Sequence, residues 1–270
     1  MIPKDSLTFD QYQIVYNIIS FTFAAMLASF VFFVLARTQV AEKYRGALVM
    51  SSLVVVVAGY HYFRIFESWT NAYVLKNGAY VPNAPFNDAY RYVDWLLTVP
   101  LLLAELVVVL RLQGGKDKYL MAQLMVAAAL MIALGYPGEV AGDNGTRLIW
   151  GTLSTIPFVY ILYVLWVQLS GSLARQPESV KPLIRNTRLL LLATWGFYPI
   201  AYLIPVIGLT GSTSTVALQI GYSIADVAAK CGYGLMIYNI ARRKTEADLV
   251  DALVVAQANN NTTKVATPIS

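Results

Sequence analysis

Arg91-Tyr92-Val93-Asp94-Trp95-Leu96-Leu97-Thr98-Val99-Pro100-Leu101-Leu102-Leu103-Ala104-Glu105 is the stretch that decides the fold. It lies in an apolar run, about 87–112, and a bilayer-spanning helix needs roughly 20 mostly apolar residues. Each ionisable side chain in such a helix costs about 2.5–3.5 kcal/mol on insertion scales, which makes it a functional candidate by default. Asp94, Thr98 and Glu105 are spaced i, i+4 and i+11. At 3.6 residues per turn they fall within roughly 40° of one helix face, with the two carboxyls about 16 Å apart along the axis. Arg91 precedes Asp94 by one turn. The pattern is a line of proton-exchanging groups across half a bilayer.

Working outward with the same ruler, seven spans emerge, at about 11–37, 46–71, 87–112, 118–138, 146–173, 180–207 and 213–243. The predicted fold class is all-α, a bundle of seven transmembrane helices. Composition agrees: of 270 residues, 57% are hydrophobic and only 13% charged, against about 25% charged in soluble domains. That balance excludes a soluble enzyme, a disordered chain and a secreted disulfide scaffold, and the single cysteine, Cys231, has no internal partner. No nucleic-acid partner is expected from the net charge of +5, because the basic residues sit in short clusters between apolar runs. No metal site is expected.

Fourteen of the basic residues fall at one end of the spans: Arg37, Lys43 and Arg45; Arg111, Lys116 and Lys118; Arg175, Lys181, Arg185 and Arg188; and Arg242, Arg243, Lys244 and Lys264. Lys4, Arg64, Lys76 and Arg147 fall at the other. The positive-inside rule then predicts an outer N-terminus and a cytoplasmic C-terminus in a cell (inner) membrane. No cleavable signal peptide is expected, since the first apolar run is long enough to remain as a span. Between spans 2 and 3, Asn77-Gly78 flanked by tyrosine and valine predicts a short β-hairpin with a type I′ turn. The membrane domain is expected to occupy 1–245, with 246–270 a polar, disordered cytoplasmic tail.

Span 7 carries Asp226 and Lys230 at i, i+4, hence as neighbours. A lysine in apolar surroundings must be paired, neutral or covalently modified. Asp94 and Asp226 with Arg91 and Lys230 make a neutral cluster. A purely structural salt-bridge network is the bland alternative, but it leaves Glu105 unexplained. Trp195, Tyr198 and Tyr202 form a stripe at i, i+3 and i+7 beside Pro199, with Trp95 next to the acidic line. Such stripes are usually packing; beside a buried lysine, a flat conjugated ligand becomes reasonable. His61, the one histidine, read alone is a core residue with a local hydrogen bond. Gly151 read alone permits close helix packing.

These residues resemble the microbial rhodopsins, seven-helix proteins that hold retinal on a lysine of the last helix. The resemblance is carried by 91–105, by Trp195-Gly-Phe-Tyr198-Pro199-Ile-Ala-Tyr202 and by Asp226-Val-Ala-Ala-Lys230. The Asp94/Thr98/Glu105 pattern is similar to that of proteorhodopsins and xanthorhodopsins, outward proton pumps. Phe86-Asn-Asp-Ala-Tyr-Arg91, Leu134-Gly-Tyr-Pro-Gly-Glu139 and Leu189-Leu-Leu-Leu-Ala-Thr-Trp195 look most like the xanthorhodopsin group.

The resemblance implies a light-driven ion transporter, not an enzyme. All-trans retinal would be bound as a Schiff base to Lys230, with Asp94 as counterion and proton acceptor, Asp226 as second counterion and Glu105 as cytoplasmic proton donor. Arg91 would gate the outer side, and His61 would hydrogen-bond Asp94 and help set its proton affinity. The retinal pocket would comprise Trp95, Leu102, Met131, Gly135, Ser154, Thr155, Phe158, Trp195, Tyr198, Pro199 and Tyr202, with Leu102 favouring green absorption. Gly151 would open a window for a carotenoid antenna. A homo-oligomer, a pentamer, is implied as well. A photosensor signalling through a partner protein is the alternative, and Glu105 favours transport over it. Asp94 argues against an anion pump; the absence of Asn and Gln at 94 and 105 argues against a sodium pump.

Overall fold

The computed structural model describes residues 5–87, 89–110, 116–168, 170–174 and 176–265. Lys4, Arg111 and Arg175, counted above among the basic residues, Asp88 of the 86–91 stretch and 266–270 of the tail lie outside the described residues. The first five spans are α1 (Phe9–Ala36), α2 (Glu42–Ala72), α3 (Ala89–Leu110), α4 (Lys116–Glu139) and α5 (Asn144–Tyr163). All five are long and apolar enough to cross a membrane. A π-helical turn at Val164–Gln168 and the short α6 (Ser170–Leu173) extend the fifth.

The sixth span is interrupted. It comprises α7 (Lys181–Trp195) and α8 (Phe197–Leu203), meeting at Gly196. Pro199 has no N–H to offer the Trp195 carbonyl four residues back, so the helix breaks where the proline demands it. The seventh span comprises α9 (Ser212–Asp226), a π-helical turn at Val227–Gly232 and α10 (Tyr233–Val265). α1 to α5 pack in chain order; α9 closes against α1, and α10 against α2, α3 and α7. The bundle is apolar on its outer surface as well as in its core: Phe21, Leu35, Ile149, Ile156 and Ile200 are all exposed. That surface faces lipid.

One expectation needs correction. The chain from Glu246 does not leave the helix, because α10 runs on to Val265. Arg242 and Arg243 both pair with Glu246, at 3.3 and 3.2 Å, and such i, i+3 and i, i+4 pairs support a helix where the apolar pattern ends.

At the opposite end, Tyr73–Lys76 (β1) and Ala79–Pro82 (β2) form an antiparallel hairpin, with Lys76 opposite Ala79. Asn77 and Gly78 both have positive φ, 50° and 81°, as a type I′ turn requires. Leu7 adds a bridge to Tyr80, whose ring stacks on Tyr12 at 3.7 Å between centroids.

Candidate functional site

The five charges singled out in spans 3 and 7 are all inside: Arg91, Asp94, Glu105, Asp226 and Lys230 are each 2% exposed or less. α3 supplies the first three, while the π-helical turn after α9 supplies Lys230. A single widened turn of this kind is frequent at functional positions. Here it brings Lys230 Nζ between two carboxylates, 2.5 Å from Asp226 Oδ1 and 3.3 Å from Asp94 Oδ2.

The two carboxylates differ in how well they are satisfied. Asp226 also accepts from the Tyr62 hydroxyl at 2.7 Å and the Tyr198 hydroxyl at 2.6 Å, and Arg91 Nη1 lies 3.9 Å away. Arg91 in turn donates to the Tyr62 hydroxyl at 3.0 Å and to Gln219 Oε1 at 2.5 Å. Asp94 has the lysine on one oxygen, while its other, Oδ1, is buried without a hydrogen-bond partner. A carboxylate can accept up to about four hydrogen bonds. The spare capacity beside Lys230 is therefore on Asp94.

Two sequence-derived roles shift. His61 does not hydrogen-bond Asp94: its Nδ1 sits 2.9 Å from the Val57 carbonyl, with Asp94 Oδ1 at 3.9 Å. The carbonyl one helical turn back captures the ring nitrogen, leaving an electrostatic contact with Asp94. Thr98 likewise gives its hydroxyl to the Asp94 backbone carbonyl at 2.8 Å.

Glu105 stands apart, toward the end of the bundle that carries Lys43 and Lys244. The Ser51 hydroxyl lies 2.5 Å from Oε2. Oε1 has no hydrogen-bond partner, and among the described residues no cation is within ion-pair distance of Glu105. Sequence reasoning missed Ser51, Tyr62 and Gln219. Gln219 carried a usable signal, seven residues before Asp226 and so on the same face.

Beside Lys230 lies a cavity of about 350 Å³, within the range of small-molecule sites. Its lining includes Trp95, Leu102, Met131, Gly135, Gly151, Ser154, Thr155, Phe158, Trp195, Tyr198, Pro199, Tyr202 and Lys230, together with Tyr92, Val99, Leu148, Leu203 and Tyr222, which the sequence did not single out. Trp95 packs edge-on against Tyr198 with centroids 4.9 Å apart. The Ser154 hydroxyl is committed to the Met131 carbonyl at 2.7 Å, which pins α5 to α4 at the cavity wall.

Leu148, Gly151, Thr152 and Thr155 of α5 face Pro199, Tyr202 and Leu203 of α8 across the cavity mouth, and Leu148 and Leu203 are exposed on the lipid side. Tyr202 is fixed there, donating to the Arg147 carbonyl at 2.8 Å while the Arg147 guanidinium lies over its ring at 5.1 Å. A β-carbon at Gly151 would stand 2.6 Å from Tyr202 Cε1. Glycine at 151 thus makes room for this tyrosine at the mouth.

Residues 14–244 match the sequence profile of a family described as bacteriorhodopsin-like protein. The chain belongs to that family. As a rhodopsin of this kind it is a light-driven ion transporter, not an enzyme. The chain is 29% identical over 225 residues to the green-light absorbing proteorhodopsin of Gamma-proteobacterium EBAC31A08, covering 82% of this chain and 84% of the relative. Its fold is similar to the crystallographic structure of xanthorhodopsin, described as a light-driven ion pump with dual chromophore. That similarity has a TM-score of 0.87 and 59% identity, over 92% of this chain and 99% of that one. A thermophilic rhodopsin matches with a TM-score of 0.88 and 52% identity over the same shares. The chain is therefore a microbial rhodopsin of the xanthorhodopsin-like group.

Proposed function

We propose that this rhodopsin is a light-driven outward proton pump in which Lys230 holds retinal, Asp94 accepts the proton and Glu105 resupplies it. The observation that carries this reading is the unequal satisfaction of the three carboxyls around and beyond Lys230. The residues fit the cofactor: an aromatic-walled cavity ends at a lysine amine, and an unpartnered carboxylate oxygen lies beside that amine. All-trans retinal, joined to Lys230 as a protonated Schiff base, would supply light absorption and an isomerisation that alters the proton affinity of the lysine nitrogen.

The chain's own residues do the rest. Asp226, already engaged by Tyr62 and Tyr198, serves as a fixed negative charge that keeps Lys230 and Arg91 in place. Asp94 Oδ1 has room for the proton leaving Lys230 Nζ. His61, 3.9 Å from that oxygen, contributes its field, and Thr98 fixes the backbone turn that presents Asp94. Glu105, buried with Ser51 as its hydrogen-bond partner and no cation paired with it among the described residues, carries its proton at rest and returns one to Lys230 Nζ from the cytoplasmic side. Arg91, held by Tyr62 and Gln219, stands between Asp94 and the outer surface.

The decisive measurement is the pH of an unbuffered suspension of cells making the protein. Illumination should acidify the medium, and a protonophore should abolish the signal. Lys230→Ala should form no visible pigment, and Asp94→Asn should keep the pigment but lose acidification. A pumping Asp94→Asn protein overturns the acceptor assignment.

The mouth between α5 and α8 supports a second ligand, a carotenoid antenna resting on Gly151 and Tyr202 from the lipid side. Added carotenoid should put its own bands into the action spectrum, and Gly151→Trp should remove them. The same reading has the N-terminus on the outer side of the cell membrane and the chain in a homo-oligomer, a pentamer, which native mass measurement in detergent would check.

A further inference from the structure

A helix ends with four carbonyls that its own N–H groups cannot reach, and the aligned peptide dipoles make that end partly negative. At the end of α3 a lysine from the last helix answers this: Lys244 Nζ donates to the Val109 carbonyl at 3.0 Å and the Leu110 carbonyl at 2.9 Å. Lysine is rarely buried unless paired, yet Lys244 is only 7% exposed. The Leu110 carbonyl accepts a second donor, Gln176 Nε2 at 3.2 Å, from the connection leading into α7.

The same stretch of α10 is fastened to α2. Thr245 Oγ1 accepts from the Ala41 N–H at 2.9 Å, and the Tyr44 hydroxyl donates to Asp248 at 2.9 Å. Asp248 also pairs with Lys43 at 2.8 Å, and Lys244 Nζ lies 5.2 Å from the Tyr44 ring centre. α2 is the helix that supplies Ser51 to Glu105. Val109 follows Glu105 by one turn, about 6 Å along the axis. Ala47, Leu48, Leu106, Val107 and Ile240, each 1% exposed or less, fill the space around that turn.

We propose that Lys244 is a positioning residue: by tying the end of α3 to α10 it keeps Glu105 shut off from cytoplasmic water, and Glu105 exchanges its proton with that side when the tie opens. This rests on Glu105 carrying a proton at rest. The two bonds from the ammonium to these carbonyls are charge-assisted and directional, while the apolar side chains beneath them hold the closure without direction.

The test is infrared spectroscopy of the full-length pigment in lipid, kept in the dark and transferred to D2O. The carboxyl C=O band of Glu105 is assigned as the one missing in Glu105→Gln, and the rate of its deuterium shift is followed. Lys244→Met, which keeps the stem and loses the donors, should exchange about tenfold faster or more, the size expected from losing a charge-assisted bond. Lys244→Arg, which keeps donors at that point, should stay within about twofold of the parent. Gln176→Leu removes the second donor on the same carbonyl and should accelerate exchange less; it decides the matter if Lys244→Met does not assemble. An unchanged rate in Lys244→Met, or in Gln176→Leu in its place, overturns the proposal. If Glu105→Gln removes no band, Glu105 carries no proton; the donor assignment then fails in its own right, and the closure falls with it.

Discussion

Lys230 and Glu105 sit in one bundle under opposite polar regimes. Around Lys230, two cations and two carboxylates are crowded together with Tyr62, Tyr198 and Gln219, and Asp226 alone takes bonds from three side chains. Around Glu105, among the described residues, the Ser51 hydroxyl supplies the one hydrogen bond and no cation pairs with the carboxyl. A buried charge survives when it is paired and hydrogen-bonded; a buried carboxyl without a cation avoids the cost by keeping its proton. The difference teaches that a proton path needs both kinds of place: one where charge is stable, and one where only a neutral, proton-bearing group is.

The comparison can be broken by the same chemical change at each site. Asp226→Asn should destabilise the retinal-free protein by about 3–5 kcal/mol, because it strands buried cations. Glu105→Gln should cost less than about 1 kcal/mol, since an amide replaces a neutral carboxyl of similar shape. Thermal unfolding in detergent reads both, and equal losses would break the contrast between the two sites. Ser51→Ala should cost about 1–3 kcal/mol by the same measurement, as it leaves the Glu105 carboxyl with no hydrogen bond.

The smallest effect lies outside both regions. Asp143 caps α5, accepting from the Thr146 N–H at 2.8 Å, and these bonds hold its carboxyl below the usual carboxylate range. Its contribution is therefore complete above about pH 4, where the unfolded carboxyl is ionised, and fades as the pH falls through the lower folded value. Asp143→Asn still caps the helix, so its unfolding temperature should lose that part of the acid sensitivity while changing little near neutrality.

Charge was the most legible signal in the sequence. Five ionisable residues inside apolar runs located the site, because the membrane leaves few reasons to bury a charge. Neutral polar residues gave no such signal. Ser51 and Ser52 both bond back to the carbonyl four residues before, as serines in helices commonly do, yet only Ser51 meets Glu105. His61 was placed correctly beside Asp94, but its bonding was not, since the Val57 carbonyl competes from within the same helix. The widened turn bearing Lys230 has no compositional mark. The helix beyond Glu246 was missed because polarity reports loss of membrane contact, which an exposed helix and a coil share.

The bridge from Leu7 to Tyr80 bears on how the molecule is made. Synthesis runs from the N-terminus, so Leu7 emerges long before its partner strand exists. Its pairing must wait until α2 is in place and the hairpin at Asn77–Gly78 has turned. Until then Leu7 has no strand to pair with. A nascent chain halted in β1 would carry a complete first helix with an untied end.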